Sequence, residues 1–366
     1  MRWPQRSERG RAMRPLVVVI ASLASCGALS STTAASPKAR LRRMFEPVAD
    51  AVLCDPLTKE PLEKSVRVVG SQVVATYACG EGEATYGERL GTFVDLVEPK
   101  RPLSASEAME ELRSAVLRSP AERVQMDTFR NPFVSFLYER GWRDSFKRSG
   151  FPGIDEEFKE VVEHFAPAAF ATDDRASVVL DMSCGTGLMA RRLAGARATT
   201  TRLIAADYSE SMLLETKRRF DEAEIGDLEL YRVDVANLPF QTDSLDAVHA
   251  GAALHCWVEL EAGLAEIARA LKPGGKAFFT TFLVGALGTG RVPEQIRRQG
   301  YRFFTVEELE ALMTDAGFTD VDVRREDPAC AVIKVTMPPR EKTNAEWRAA
   351  CDSTGVVSWH DFGVRL

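Results

Sequence analysis

Residues 178–187 read VVLDMSCGTG: an apolar run closes on an acid, and a short loop then carries Gly185 and Gly187. A continuous apolar run of this length suits a strand covered on both faces, as in a parallel sheet flanked by helices. Glycine takes backbone angles closed to other residues and has no Cβ to hold a ligand away. The helix-compatible stretch GLMARRLAGA (187–196) then presents its unpaired N–H groups towards the loop. Open parallel sheets bind ligands outside the carboxyl ends of their strands. Glycines in a strand-to-helix turn can also serve the turn alone.

The same alternation continues downstream. RLIAAD (202–207), LELYRVDV (228–235), SLDAVHAG (244–251), KAFFTTFL (276–283), VDVRRE (321–326) and AVIKVTM (331–337) read as further strands. SESMLLETKRRF, ELEAGLAEIARAL and TVEELEALMTDAGF read as helices between them, the last opening on Thr305 and Glu308 at capping-box spacing. This alternation predicts a parallel α/β sheet.

Two ligand classes fit the loop. Gly185, Gly187 and Ala190 spell GxGxxA, and Asp207 lies twenty residues beyond Gly187, as in a nicotinamide dinucleotide site. Against that reading, Asp181 stands directly ahead of the loop, awkward for a pyrophosphate and suited to a cationic amine. Asp234 ends the third strand, where a carboxylate can accept the exocyclic amine of an adenine. KPGG (272–275) leads into the fifth strand.

VVLDMSCGTG, AADYSESML, VDVANLPF, SLDAVHA and LKPGG, in this order over roughly residues 155–338, resemble a class I S-adenosylmethionine-dependent methyltransferase. The resemblance implies a Rossmann-like α/β fold with a seven-stranded, mostly parallel sheet whose last strand is antiparallel. It also implies that Asp181 and the loop hold the methionine part, Asp207 the ribose hydroxyls and Asp234 the adenine. Tyr208, Met212, Val235 and Ala250 are expected beside the same cofactor. A closer resemblance, to plant plastid and plastoglobule-type methyltransferases of the domain-11 type, rests on FRNPFVSFLYERGWRDSFKRSGFPG (129–153), DMSCGTG and DAVHAGAALHCW (246–257). In the wider superfamily the third residue of the loop is commonly glycine; here it is Ser183, as in the plastid relatives, and its hydroxyl is available to the methionine end.

Two of the chain's four histidines, His249 and His255, fall in DAVHAGAALHCW. His249 lies inside a strand and reads as a core residue with a satisfied hydrogen bond. His255 follows that strand at the mouth of the cleft, where a general base would stand if the acceptor had to lose a proton; lining the cleft and capping a helix are the alternatives. Cys256 lacks suitably spaced partners, so no metal is expected there. In the segment FVSFLYERGWRDSF (133–146), Phe133, Phe136, Tyr138 and Trp142 suit packing. As the resemblance implies a helix ahead of the first strand that lids the cofactor, Tyr138, Arg140 or Arg143 could also meet its carboxylate. Tyr301, Phe303 and Phe304 suit an apolar acceptor, and core packing explains them equally well.

The flanks bound the organisation. Arg2, Arg6, Arg9, Arg11 and Arg14 precede the apolar run PLVVVIASLASCGAL, and no acid occurs from Gly10 to Phe45. Residues 1–45 therefore read as a signal-plus-transit leader, for a plastid first and a mitochondrion or the secretory pathway otherwise. Residues 50–98 form a small β-rich unit resembling a zinc ribbon whose second cysteines are missing: Leu57 stands three after Cys54, and Gly82 three after Cys79. Two thiolates cannot close a tetrahedral zinc site; two buried thiols are the plainer reading. Residues 99–154 connect and lid, 155–338 form the methyltransferase domain, and 339–366 extend beyond it. A net charge of −6 disfavours non-specific nucleic-acid binding. The expected partners are a small, lipophilic quinone or phenolic acceptor and a peripheral lipid-body or membrane surface. A nicotinamide oxidoreductase and a scaffold without turnover are the competing functions.

Overall fold

The computed structural model describes residues 48–69, 72–79, 84–89, 92–97, 146–170, 176–198, 200–226, 228–284 and 301–339. All of them fall in one of the chain's two units, Pro47–Leu366. The leader 1–45, Tyr138, Arg140 and Arg143 of the lid segment, and the extension from 340 lie outside the described residues.

Runs of β-branched and apolar residues form the strands, and each is buried according to its place in the sheet. β6 (Ser177–Met182) and β9 (Leu245–Ala250) lie at the centre, and every residue of β9 is buried. On one face, Val179, Leu203, Ala247 and Phe278 pack against Val161 and Phe165 of α1 (Ile154–Ala169). On the other, Leu180, Ile204, Val248 and Phe279 join Leu264 and Ile267 of α4 (Leu260–Ala270). Among the described residues the other α-helices are α2 (Leu188–Ala196), α3 (Glu210–Glu222) and α5 (Val306–Asp315). α5 opens on the capping box read from Thr305 and Glu308, with both reciprocal bonds formed.

The remaining strands of this half are β7 (Thr201–Asp207), β8 (Leu228–Arg232), β10 (Leu271–Phe282), β11 (Thr319–Glu326) and β12 (Cys330–Thr336). Their order is β8-β7-β6-β9-β10-β12-β11. The first five run parallel, and β12 is antiparallel to both neighbours. KPGG does not precede β10 but lies within it, as a bulge where the pairing with β9 slips between Leu271 and Lys276.

The N-terminal strands do not stand apart. β1 (Val48–Cys54), β2 (Pro61–Val69), β3 (Gln72–Cys79), β4 (Ala84–Arg89) and β5 (Phe93–Asp95) form an antiparallel series. β5 then pairs in parallel with β8, so the described sheet has twelve strands. Leu53 bridges Phe240, which brings β1 back onto the main body. Leu53, Leu62, Tyr86 and Leu96 share one core with Leu180 and Tyr231. Burial pushes the Cys54 and Cys79 thiols up to about 11, and Cys79 Sγ donates to Glu60 Oε2 at 3.0 Å. Among the described residues no group of three or more His, Cys, Asp or Glu is placed to hold a metal ion.

Gly187 caps α2 at φ +74°, and a Cβ there would lie 2.7 Å from Thr216 Cγ2 on α3. Its first duty is therefore helix packing. Gly187→Ala should destabilise the fold by about 2 kcal/mol in urea melts; a midpoint unchanged from wild type would refute this account.

Candidate active site

The carboxyl ends of β6, β7, β8 and β9 open on one cleft of about 1040 Å³, its solvent-open mouth included. Ser183, Gly185, Asp207, Tyr208, Met212, Asp234 and Val235 line it, together with Met182 and Ser209. Its far wall comes from the turns after β9, Gly251–Ala253 and Cys256–Glu259, in and just after the stretch read as leaving the sheet for the cleft.

Asp207 braces one side. Its Oδ2 accepts from Gly185 N–H and its Oδ1 from Ser209 N–H, both at 2.9 Å. Burial raises its carboxyl to about 6, against the lowering pull of those N–H groups. Asp234 caps a 3-10 turn, with Oδ1 accepting from Ala236 N–H at 3.0 Å. Its Oδ2 has no protein partner among the described residues. Two carboxylates and a glycine loop on one cleft provide hydrogen-bond acceptors for hydroxyls and an amine, beside the apolar Met212 and Val235.

Ser183 adopts φ +56°, the left-handed region that favours glycine. Its hydroxyl accepts from Trp257 Nε1 at 3.0 Å, tying the loop after β6 to the turn after β9. The residue expected to serve the methionine end thus already links the two walls.

Four expected residues lie elsewhere. Ala250 is fully buried in β9, and the next three residues form the wall in its place. Gly187 packs α2 on α3. Asp181 is 1% exposed, behind the lining, where Oδ1 accepts from His249 Nδ1 at 2.7 Å. His255 is 6% exposed, edge-on to Phe282 at 4.8 Å, and burial pushes its imidazole down to about 3. Burial disfavours its charged form, and it is not among the described residues that line the cleft.

His249 has the richer surroundings. Its Nε2 donates to Glu157 Oε1 at 3.2 Å, so the ring bridges two buried carboxylates from α1 and β6. Desolvation opposes its charge, yet those two partners raise it to about 9. Thr280 Oγ1 bonds Glu157 as well and accepts from Ala252 N–H at 2.7 Å, shaping the wall. A Cβ on Gly251 would lie 2.5 Å from Glu157 Oε1, so only glycine fits between this cluster and the cleft.

A histidine raised above its unfolded value of 6.5 gives stability that is complete below pH 6.5 and is lost as pH rises through about 9. Wild type should accordingly lose on the order of 3 kcal/mol between pH 6.5 and 10 that His249→Gln does not. Parallel stability curves for the two proteins would show that His249 is not held charged.

A family model described as a methyltransferase domain matches residues 179–275. An uncharacterised chloroplastic methyltransferase of Arabidopsis thaliana is 34% identical over 309 residues, covering 80% of this chain and 81% of that protein. A second from the same plant is 43% identical over 163 residues, 43% of each chain. The demethylmenaquinone methyltransferase of Clavibacter sepedonicus is 38% identical over 128 residues, 34% of this chain and 46% of that protein. The chain belongs to the class I S-adenosylmethionine-dependent methyltransferases. It is an enzyme of that family, with S-adenosylmethionine as its methyl donor, and membership decides against the nicotinamide reading of the loop.

Proposed function

We propose that this chain is a plastid methyltransferase that methylates a small lipophilic quinone or phenolic compound. The observation that carries the donor assignment is the convergence of Asp207 and Asp234 on one glycine-walled cleft. In this reading Asp207 accepts from the ribose hydroxyls and Asp234 Oδ2 from the adenine amine. Tyr208, Met212 and Val235 enclose the nucleoside, and Ser183 and Gly185 border the methionine end. Tyr138 and Arg143 belong to the segment proposed to lid the cofactor.

The donor supplies a methyl carbon activated by its sulfonium. The protein's part is to align the acceptor with that carbon and keep water out, which accounts for several kcal/mol without a covalent nucleophile. In this reading the buried His255 packs beside the acceptor rather than serving as its base. Its ring belongs to a half-buried aromatic group, with Phe282 at 4.8 Å and Tyr301 at 6.0 Å, and Phe303 6.0 Å from Phe282. Arg302 N–H bonds the His255 carbonyl, which sets this group beside Cys256 of the cleft wall. An apolar aromatic flank suits a quinone-like ring, and the demethylmenaquinone relatives support that class. Fully buried Phe304 belongs to the core. The chloroplastic relatives support a plastid, reached through a leader in residues 1–45 and ending at a lipid-body or membrane surface that holds the acceptor. The N-terminal strands are proposed to be a metal-free remnant of a zinc ribbon.

The test is transfer of a radiolabelled methyl group from the donor into a plastid lipid extract. A labelled aromatic product in the organic phase is expected, lost in Asp207→Ala with at least about tenfold weaker donor binding. Label confined to water-soluble products would refute the lipophilic acceptor, and tight donor binding without any labelled product would favour a scaffold.

A further inference from the structure

Asp95 ends β5, outside the seven strands that carry the cleft, and is 2% exposed. Its register partner on β8 is Arg232, also 2% exposed, with Nη1 3.0 Å from Asp95 Oδ2. Desolvation cancels much of the Coulomb gain of such a pair, so stability alone is a weak reason to keep it. Arg232's other contacts supply a better one. Its Nε donates to the Tyr208 main-chain oxygen at 3.1 Å, and its guanidinium lies 5.2 Å from the centre of the Tyr208 ring. Tyr208 lines the cleft directly after Asp207.

Arg89 of β4 joins the same network. Its Nε lies 2.9 Å from Asp95 Oδ2, and its Nη1 donates to Glu210 Oε1 at 2.6 Å. Glu210 opens α3 immediately after the capping Ser209. Two side chains of the N-terminal strands therefore reach both the residue that clamps Tyr208 and the first turn of the helix behind the cleft.

We propose that Asp95 is a positioning residue for the nucleoside end of the donor, acting through Arg232 on Tyr208, and that the N-terminal strands are thereby part of the donor site. The proposal rests on the reading that Tyr208 meets the donor. With asparagine at 95, Arg232 loses a charged partner while Glu210 Oε1 stands 3.5 Å from its Nη1. Its hold on Tyr208 then slackens, and the tyrosine must be ordered when the donor binds. Donor affinity falls, while the rate at saturating donor does not.

The experiment is a double-mutant cycle read by calorimetric titration of S-adenosylmethionine and of 5′-methylthioadenosine, which keeps the nucleoside and lacks the amino acid. Asp95→Asn should weaken both ligands about fivefold, raise KM for the donor and leave kcat within about twofold. The loss should be markedly smaller when Tyr208→Ala is already present, since the ring contact is gone and only the main-chain bond from Arg232 remains. Additive losses in the double variant, or wild-type affinity in Asp95→Asn, overturn the proposal. Wild-type affinity in Tyr208→Ala would instead remove the reading beneath it. Should Asp95→Asn fail to fold, Arg232→Lys runs the same cycle with the same expected outcomes, because a lysine keeps the charge but gives up the forked contact.

Discussion

Asp207 is bonded to the backbone of two segments at once, and the shape of the cleft depends on it. One oxygen holds Gly185 of the loop after β6, and the other holds Ser209 at the start of α3. That brace adds to the Cys184 N–H bond to the Ala206 carbonyl and the Thr216 hydroxyl bond to the Gly185 carbonyl, which also hold the glycine loop against β7 and α3. The same carboxylate is the acceptor proposed for the ribose. Its burial costs enough to raise its carboxyl to about 6, so the brace and the binding group share one titration.

Around this brace, charged groups lie unusually deep. Glu157, His249 and Asp181 form a buried cluster behind Gly251, and Asp95 with Arg232 forms another behind Tyr208. Each joins elements far apart in sequence, and each stands one residue behind the cleft lining. Buried charges of this kind add less to stability than well-packed apolar groups would, but they hold their partners in one arrangement. The cleft walls, made largely of turns, thus rest on rigid polar contacts as well as on the apolar core.

The order of elements was legible because strand and helix periodicities are local. Asp207, Asp234 and Gly185 could be placed at the cleft from strand ends alone. What escaped depended on which face of a strand a side chain occupies. Asp181 and His249 share the face under α1, so His249 meets both Asp181 and Glu157 behind the cleft lining. Glu157 itself gave no signal, because its partner His249 lies 92 residues away. The short fragment FVD offered no hint that it would pair with β8, since strand pairing across more than a hundred residues leaves no local pattern. His255 was read from its position beside the cleft, whereas its environment was set by Phe282 and Tyr301 from other elements.

The account turns on an ionised Asp207 accepting from the donor. The most direct measurement is the dissociation constant of S-adenosylmethionine as a function of pH for wild type and Asp207→Asn. Wild-type affinity should be flat above about pH 6.5 and fall about tenfold for each unit below 6, because protonation of Asp207 competes with binding. The variant should bind more weakly, with no such dependence. A wild-type affinity that stays level down to pH 5 would contradict the account.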